Sequence, residues 1–287
     1  MTQKVAVVTG SSSGQGYETS LILARNGFHT YATMRKLEGE GPKEIAHIAK
    51  NENLPLEIIQ LDVNNDNSVS DAINKIANEK NRIDVVVNNA GYDLMGALEE
   101  TSVEQIKAQF ETNFFGAVRV MQAVIPMMKK HGEGIIVNTT SLGGRISFPL
   151  NSAYHATKFA LEGLSESVRY ELEPFGIKII VIEPGGVGSN FLNNLKMATK
   201  TSDPLNAPYR SMENRISEYF EQWSKNAIHP SEVAKVILQA VTSDNPEFRY
   251  VVGKDAAIAL ESRRNMSDKE FYDSIKKQMN MQKQFED

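Results

Sequence analysis

The sequence predicts an α/β chain built on a doubly wound parallel sheet of seven candidate strands, with helices on both faces. Three observations carry that expectation. Short β-branched runs, apolar nearly throughout, alternate with longer amphipathic stretches as far as Pro184, and strands of a parallel sheet covered on both faces are apolar on both. A Gly/Ser-rich turn follows the first run directly, where such a sheet opens its first crossover helix. Neither a repeat nor a linker divides the 287 residues, a length one large domain can accommodate.

Taken in order, strands are expected at Val5–Thr9, Thr30–Met34, Leu56–Leu61, Ile83–Val87, Gly134–Asn138, Lys178–Ile182 and Tyr250–Val252. Crossover helices fit the stretches between them, among them Ser68–Glu79, Val103–Lys130 and Tyr154–Pro174. Residues 191–228 are polar and mixed, with Pro204 and Pro208 inside, and are expected to form a helical insertion over the strand ends. Loops in that place commonly carry substrate recognition. Phe191, Leu192, Tyr209, Met212, Tyr219, Phe220 and Trp223 therefore make this segment a candidate lid for an apolar ligand. Order resumes at Pro230, with Ser231 as the expected N-cap. A helical tail covers 255–287, where Ser267-x-x-Glu270 has the spacing of a capping box.

Composition narrows the classes. Hydrophobic residues at 41% and charged residues at 23% exclude a disordered chain. Thirty-one basic against thirty-six acidic residues leave a net charge of −5, so neither nucleic acid nor a membrane surface is an expected partner. A mean hydropathy of −0.35 without a long apolar run gives no membrane span. The four apolar residues Val5–Val8 are too few for a signal-peptide core. The absence of cysteine removes disulfides, thiolate catalysis and Cys-ligated zinc. A cytoplasmic location is expected, and the sequons at Asn138 and Asn265 read as chance matches. Five scattered histidines lack metal-ligand spacing, so no metal site is expected.

Three motifs carry chemistry. In Thr9-Gly10-Ser11-Ser12-Ser13-Gly14-Gln15-Gly16 the glycines let the backbone turn tightly and let a pyrophosphate approach a helix N-terminus; a plain βα turn without ligand is the competing reading. Asn88-Asn89-Ala90-Gly91 ends the fourth strand, as a structural clamp and as part of a cofactor wall. Tyr154 and Lys158 project from one helical face, and the loop Leu142–Ala153 is long enough to lay Ser141 beside the tyrosine. A phenol with an ordinary pKa of about 10 must fall about three units, about 4 kcal/mol, to act as a base near neutrality. One ammonium about 4 Å away supplies on the order of 4 kcal/mol at an effective dielectric of about 20. His155 faces away from that pair and reads as structural, while Phe114, Phe115 and the Met121–Met128 stripe read as packing surface.

In this order, TGSSSGQG, LDV at 61–63, NNAG, ETNFFG, TTSLGG, YHATK and EPGGVGS resemble the short-chain dehydrogenase/reductase family in its single-domain Rossmann form, closely over about residues 4–190. The resemblance implies an NAD(P)-dependent oxidoreductase that moves a hydride between a nicotinamide and a carbonyl/alcohol pair. It implies Tyr154 as acid/base, Lys158 lowering its pKa and holding the nicotinamide ribose, Ser141 orienting the substrate oxygen, and Asn113 holding a relay water. Gly10, Ser12, Ser13, Gly14, Gln15 and Gly16 would cradle the diphosphate; Asp62 and Val63 would border the adenine; Asn89, Ala90 and Gly91 would line the ribose. Pro184, Gly185, Val187 and Ser189 would complete the cofactor site, with Ser189 on the carboxamide. Ser141, Gly143, Phe148, Tyr154, Gly185 and Phe191 would face a medium-sized, largely apolar substrate. Gln15 departs from the apolar residue common between those glycines and is expected to alter the wall behind the diphosphate.

NADP(H) is favoured over NAD(H). Met34 stands where an NAD-preferring member carries a carboxylate, and Arg35 follows at once, a guanidinium suited to a 2′-phosphate. Ser13 adds a hydroxyl. YATMRK, YHATKFALEGLSES and ELEPFGIKI are most similar to the branch that holds retinol and 17-beta-hydroxysteroid dehydrogenases, though no substrate is carried across. The family's interface helices imply a homodimer or homotetramer. A cofactor-binding sensor, a structural protein with vestigial binding, and an epimerase or dehydratase remain the other readings.

Overall fold

In this computed structural model, which describes residues 3–188, 196–199, 203–225 and 227–281, strands and helices alternate as the apolar runs predict. The elements are β1 (Val5–Thr9), α1 (Gly14–Arg25), β2 (His29–Met34), α2 (Glu40–Asn51), β3 (Leu56–Gln60), α3 (Asp66–Lys80), β4 (Val85–Asn88), β5 (Leu94–Met95), α4 (Val103–Phe110), α5 (Gly116–His131), β6 (Gly134–Thr139) and α6 (Ser152–Leu172). There follow β7 (Ile177–Pro184), β8 (Lys196–Met197), α7 (Ala207–Ser224), α8 (Pro230–Thr242), β9 (Arg249–Val252), α9 (Lys254–Asn265) and α10 (Asp268–Gln278). Seven strands form one sheet in the order β3-β2-β1-β4-β6-β7-β9, every pair parallel. The order reverses between β1 and β4, so a crevice opens at their carboxyl ends, where ligands bind in such sheets.

Register explains why the strands are apolar on both faces. Tyr31, Val7, Val86, Ile136 and Ile179 stand in one row across five strands. They pack with Ile73 and Ile76 of α3 and Val120, Val124 and Met128 of α5. One residue along, Val8, Val87, Val137 and Ile180 point the other way, onto Leu23 of α1 and Val233, Ile237 and Val241 of α8. Each of these buried side chains contributes about 1.5–3 kcal/mol. The Met121–Met128 stripe is packing surface, as expected: both end residues are buried.

Two expectations need correction. The helix expected over Val103–Lys130 is broken by a π turn at Glu111–Phe115, because the Asn113 side chain in its middle bonds the backbone of Tyr92 instead of facing solvent. The cap of α8 is His229, not Ser231. Pro230 takes the first helical position, where its fixed φ suits and its missing N–H is not needed, and the His229 ring accepts from the Ser231 N–H at 3.2 Å. Ser267 and Glu270 do form the capping box that opens α10. Within the segment 191–228, the described part supplies β8 and the 18-residue helix α7.

The paired asparagines clamp three strands. Asn88 Nδ2 donates to Asn138 Oδ1 at 2.9 Å, and Asn138 Nδ2 donates to Ser165 Oγ of α6 at 2.9 Å. Asn89 Nδ2 reaches back to the carbonyls of Thr9 and Gly10. Asn138 is fully buried, so Asn138→Ala leaves the Asn88 amide donor unpaired, takes one of two bonds from Ser165 Oγ, which keeps the Leu161 carbonyl, and is expected to destabilise the fold by about 1–3 kcal/mol. Urea denaturation checks this as a lowered midpoint at unchanged slope.

Candidate active site

The site begins where β1 ends. Gly10 and Gly14 hold φ of +69° and +60°, a region in which a side chain is strained. A Cβ on Gly10 would also stand 2.8 Å from Ala90 Cα. A Cβ on Gly16 would overlap the Gly10 carbonyl and the Asn89 amide, so Gly16 lies beneath the turn and lets α1 close onto β4. The first turn of α1 carries no acidic residue, and Ser13 makes no side-chain cap. Its free N–H groups and dipole therefore favour an anion.

From this turn a long cavity crosses the strand ends. Its wall holds Gly10, Ser12, Ser13, Gly14 and Gln15, then Met34 and Arg35, Asp62 and Val63, Asn89, Ala90 and Gly91, and finally Tyr154 and Lys158. Lys196 of β8 closes over it, its ammonium 4.1 Å above the Tyr92 ring. A second, more apolar cavity lies beyond Tyr154. Ser141, Gly143, Phe148, Tyr154 and Gly185 are brought together on its wall. Pro184 and Val187 line this cavity too, not the first one. There the chain leaving β7 is turned by the Asp255 carboxylate, which accepts from Gly186 N at 2.7 Å. Ser189 and Phe191 lie outside the described residues. Tyr154 belongs to both cavities.

Tyr154 shares a side-chain hydrogen bond with Ser141, whose Oγ also accepts from Gly143 N at 3.0 Å. Lys158 Nζ donates to the Thr139 carbonyl at 2.9 Å and sits 5.7 Å from the centre of the Tyr154 ring. The expected lowering of the phenol by this ammonium is corrected here. Burial pushes Tyr154 well above the ordinary tyrosine value, the Asp93 carboxylate adds to the rise, and the Ser141 bond opposes both. Burial likewise brings Lys158 down to about 8, against the Asp93 and Glu162 carboxylates. Taking a phenolate out of water outweighs one ammonium at this distance. The protein on its own thus holds Tyr154 as a neutral phenol, poised to give a proton.

Asn113 is buried behind the wall. Its Oδ1 accepts from Tyr92 N at 3.0 Å, and its Nδ2 donates to Tyr92 O at 2.8 Å and Thr157 Oγ1 at 3.2 Å. It braces the Tyr92 turn against α6. His155 braces the wall of the second cavity. Its Nδ1 bonds the Gly143 carbonyl at 2.8 Å, and its Nε2 accepts from Phe148 N at 2.8 Å, a pattern that requires the neutral ring.

Three residues at the site escape a reading by motif. Asp93 and Asn151 meet in the second cavity, with Asn151 Nδ2 donating to Asp93 Oδ2 at 2.9 Å. Burial raises Asp93 to about 6. The only signal for Asp93 is a carboxylate placed between Tyr92 and the apolar Leu94–Met95; Asn151 and Asp255 carry none. Among the described residues no cluster of three metal-ligating side chains occurs, and no helix is long and apolar enough to cross a membrane.

Residues 4–200 match the short chain dehydrogenase family. A 3-ketodihydrosphingosine reductase of Bacteroides thetaiotaomicron is 36% identical over 253 residues, which cover 88% of this chain and 89% of the relative. The 17-beta-hydroxysteroid dehydrogenase type 1 of Homo sapiens is 35% identical over 258 residues, 87% of this chain and 77% of the relative. Among solved structures, an alcohol dehydrogenase of the archaeon Thermococcus sibiricus, complexed with 5-hydroxy-NADP, aligns with a TM-score of 0.71 at 25% identity. That alignment covers 87% of this chain and 96% of the other.

The His155 geometry carries a pH dependence. Burial lowers its pKa from the ordinary 6.5, so the contribution of the neutral ring is complete above that value. It is lost as pH falls from there through the lowered one, because the unfolded chain takes the proton first. His155→Phe is expected to destabilise the protein by about 1–3 kcal/mol near neutrality. Denaturation at pH about 7.5 and about 5.5 checks the sign: the wild type should lose more stability on acidification than the variant.

Proposed function

The chain belongs to the short-chain dehydrogenase/reductase family, and from that premise we propose that it is an NADP(H)-preferring oxidoreductase. It would interconvert a carbonyl and an alcohol on a medium-sized, largely apolar substrate. The observation that carries this reading is the position of Tyr154, a buried phenol on the wall of both cavities and bonded to Ser141. The first cavity suits a dinucleotide: its glycine turn leaves room for a diphosphate over the open N–H groups of α1. The second suits an apolar substrate, with Met95, Leu142, Phe148, Val187 and Phe220 on its wall.

A bound nicotinamide supplies or accepts the hydride. The chain's own residues handle the oxygen and the proton. Ser141 orients the substrate oxygen by hydrogen bonding. Tyr154 gives its proton to that oxygen in reduction and takes it back in the reverse direction, a positioned transfer of general acid–base type. Raised by burial, the phenol is protonated at neutral pH, which suits it to the reductive direction. Lys158, whose ammonium stands on the first cavity, would hold the ribose, and Asn113 would hold the relay water through the π turn it stabilises.

The preference for NADP(H) rests on the end of β2. Met34 is buried and can neither accept from a ribose diol nor repel a phosphate. Arg35 is exposed on the same wall, and among the described residues its guanidinium forms no ion pair. Self-association through the π turn that leads into α5 and through α6 belongs to the same proposal, because Phe115 in the turn and Phe159 and Tyr170 on α6 leave 45%, 45% and 69% of their surface in solvent. So does a cytoplasmic setting, which a chain of this length without cysteine suits.

Two measurements test the reading. Tyr154→Phe keeps the ring but removes its only dissociable proton, so folding and cofactor binding should survive while turnover of a ketone panel falls by roughly two to four decades. A variant that retains more than about a tenth of the wild-type rate excludes Tyr154 as the proton donor. Arg35→Ala should weaken NADPH binding by roughly ten- to a hundredfold and barely move NADH. A wild type that binds NADH as tightly as NADPH overturns the preference.

A further inference from the structure

Three residues on the wall of the second cavity, Gln15, Asp93 and Asn151, each carry a buried acceptor oxygen that has no hydrogen-bond partner among the described residues, and two of them are bonded to each other. Asp93 and Asn151 are each only 6% exposed, and both line the cavity beside Tyr154. The Asp93 carboxylate accepts from Asn151 Nδ2 through Oδ2 and is also bonded by the Leu94 backbone, while Asp93 Oδ1 and Asn151 Oδ1 stay buried without a hydrogen-bond partner. The orientation of the amide is fixed, because an ionised carboxylate only accepts and so must face the NH2 end. Each orphaned acceptor in such a place costs about 1–3 kcal/mol unless a ligand or water supplies a donor. Two side by side, one of them charged, are a feature that a purely apolar substrate would leave unanswered.

We infer that Asp93 and Asn151 form a receptor for a primary amino group carried by the substrate close to its reacting carbon. The inference rests on the oxidoreductase reading of the site and narrows its substrate class from apolar carbonyl compounds to apolar amino ketones and amino alcohols. An ammonium has three donors and no acceptor, which matches two acceptors and a negative charge. A hydroxyl could answer only one of them. Among the described residues Asp93 is the only charged side chain on the wall of this cavity, so a cation there is paired and not repelled. The neighbouring hydroxyls of Ser141 and Tyr154 are bonded to each other and stand ready for the substrate oxygen. Oxygen and nitrogen of the ligand thus meet different partners in one small space, with the apolar body left to Phe148, Met95 and Phe220. Asp93 would act as a binding and specificity residue, with no part in the transfer of hydride or proton.

The test uses acetophenone and 2-amino-1-phenylethanone, which differ only by the amino group. With the wild-type protein, kcat/KM for the amino ketone should exceed that for acetophenone by at least about tenfold, and in Asp93→Asn this ratio should fall towards one, mainly through KM. A second readout needs no turnover: calorimetry should show 2-phenylethylamine binding to the wild type and binding at least about tenfold more weakly to Asp93→Asn. Amine binding that depends on Asp93, in a protein that turns over neither ketone, would sink the oxidoreductase reading and keep the receptor. A wild-type ratio at or below one, or amine binding unchanged in Asp93→Asn, overturns the receptor and leaves the two oxygens to bound water.

Discussion

The close approach of the first βα turn to the end of β4 is the constraint on which the rest of this molecule depends. Thr9 Oγ1 accepts from the N–H groups of Asn89 and Ala90, while Asn89 returns its amide to the Thr9 and Gly10 carbonyls. These bonds tie together two strands that the chain visits 80 residues apart, at the place where the sheet changes direction. Only glycine at 10 and 16 permits the contact. The crevice, the open N–H groups of α1 and the position of the Asn89–Gly91 wall all follow from it. A larger residue at either position would have to push α1 off the sheet.

Burial sets the chemistry that stands over this floor. Tyr154 and Lys158 sit side by side on α6, and an estimate from charge alone makes the lysine acidify the tyrosine. The structure reverses that balance, since both groups are out of water and each is driven towards its neutral form. The attraction of one ammonium at about 4 Å is worth on the order of 4 kcal/mol in a medium of effective dielectric about 20, whereas desolvation alone shifts fully buried groups by up to about 3–5 units. Asp93 adds a negative charge on the substrate side, which raises the phenol further while holding up the lysine. A proton is therefore stored on Tyr154 where a carbonyl oxygen would need it.

Much of this was legible in the sequence, because much of it is local. The strands are short runs whose two faces are both apolar, and all seven appear within a residue or two of where the runs place them. The glycine turn, Tyr154-x-x-x-Lys158 and the Ser267 capping box are each set by residues within one or two turns of chain. Errors arose where a distant partner decides. Asn113 opens a π turn inside an otherwise regular helix because Tyr92 claims its amide, and no periodicity records that. The start of α8 went to His229 because proline prefers the first helical position and the imidazole can reach over it. For Tyr154, spacing supplies an ammonium's distance but not the solvent that both groups have lost.

The same distinction separates the two ends of the site. The cofactor end is made by backbone: glycines, helix N–H groups and strand termini whose order along the chain repeats their order in space, so a motif can announce it. The second cavity is assembled by side chains from segments far apart in sequence: the turn at Asp93, the loop from Ser141 to Asn151, the end of β7 under Asp255, and Phe220 of α7. Each of these residue types is unremarkable alone. Asp93 becomes informative only when Asn151, 58 residues on, is found bonded to one of its oxygens while the other is buried without a hydrogen-bond partner. Local pattern therefore announces the turn and the strand ends, whereas buried oxygens without a partner exist only once the chain has folded.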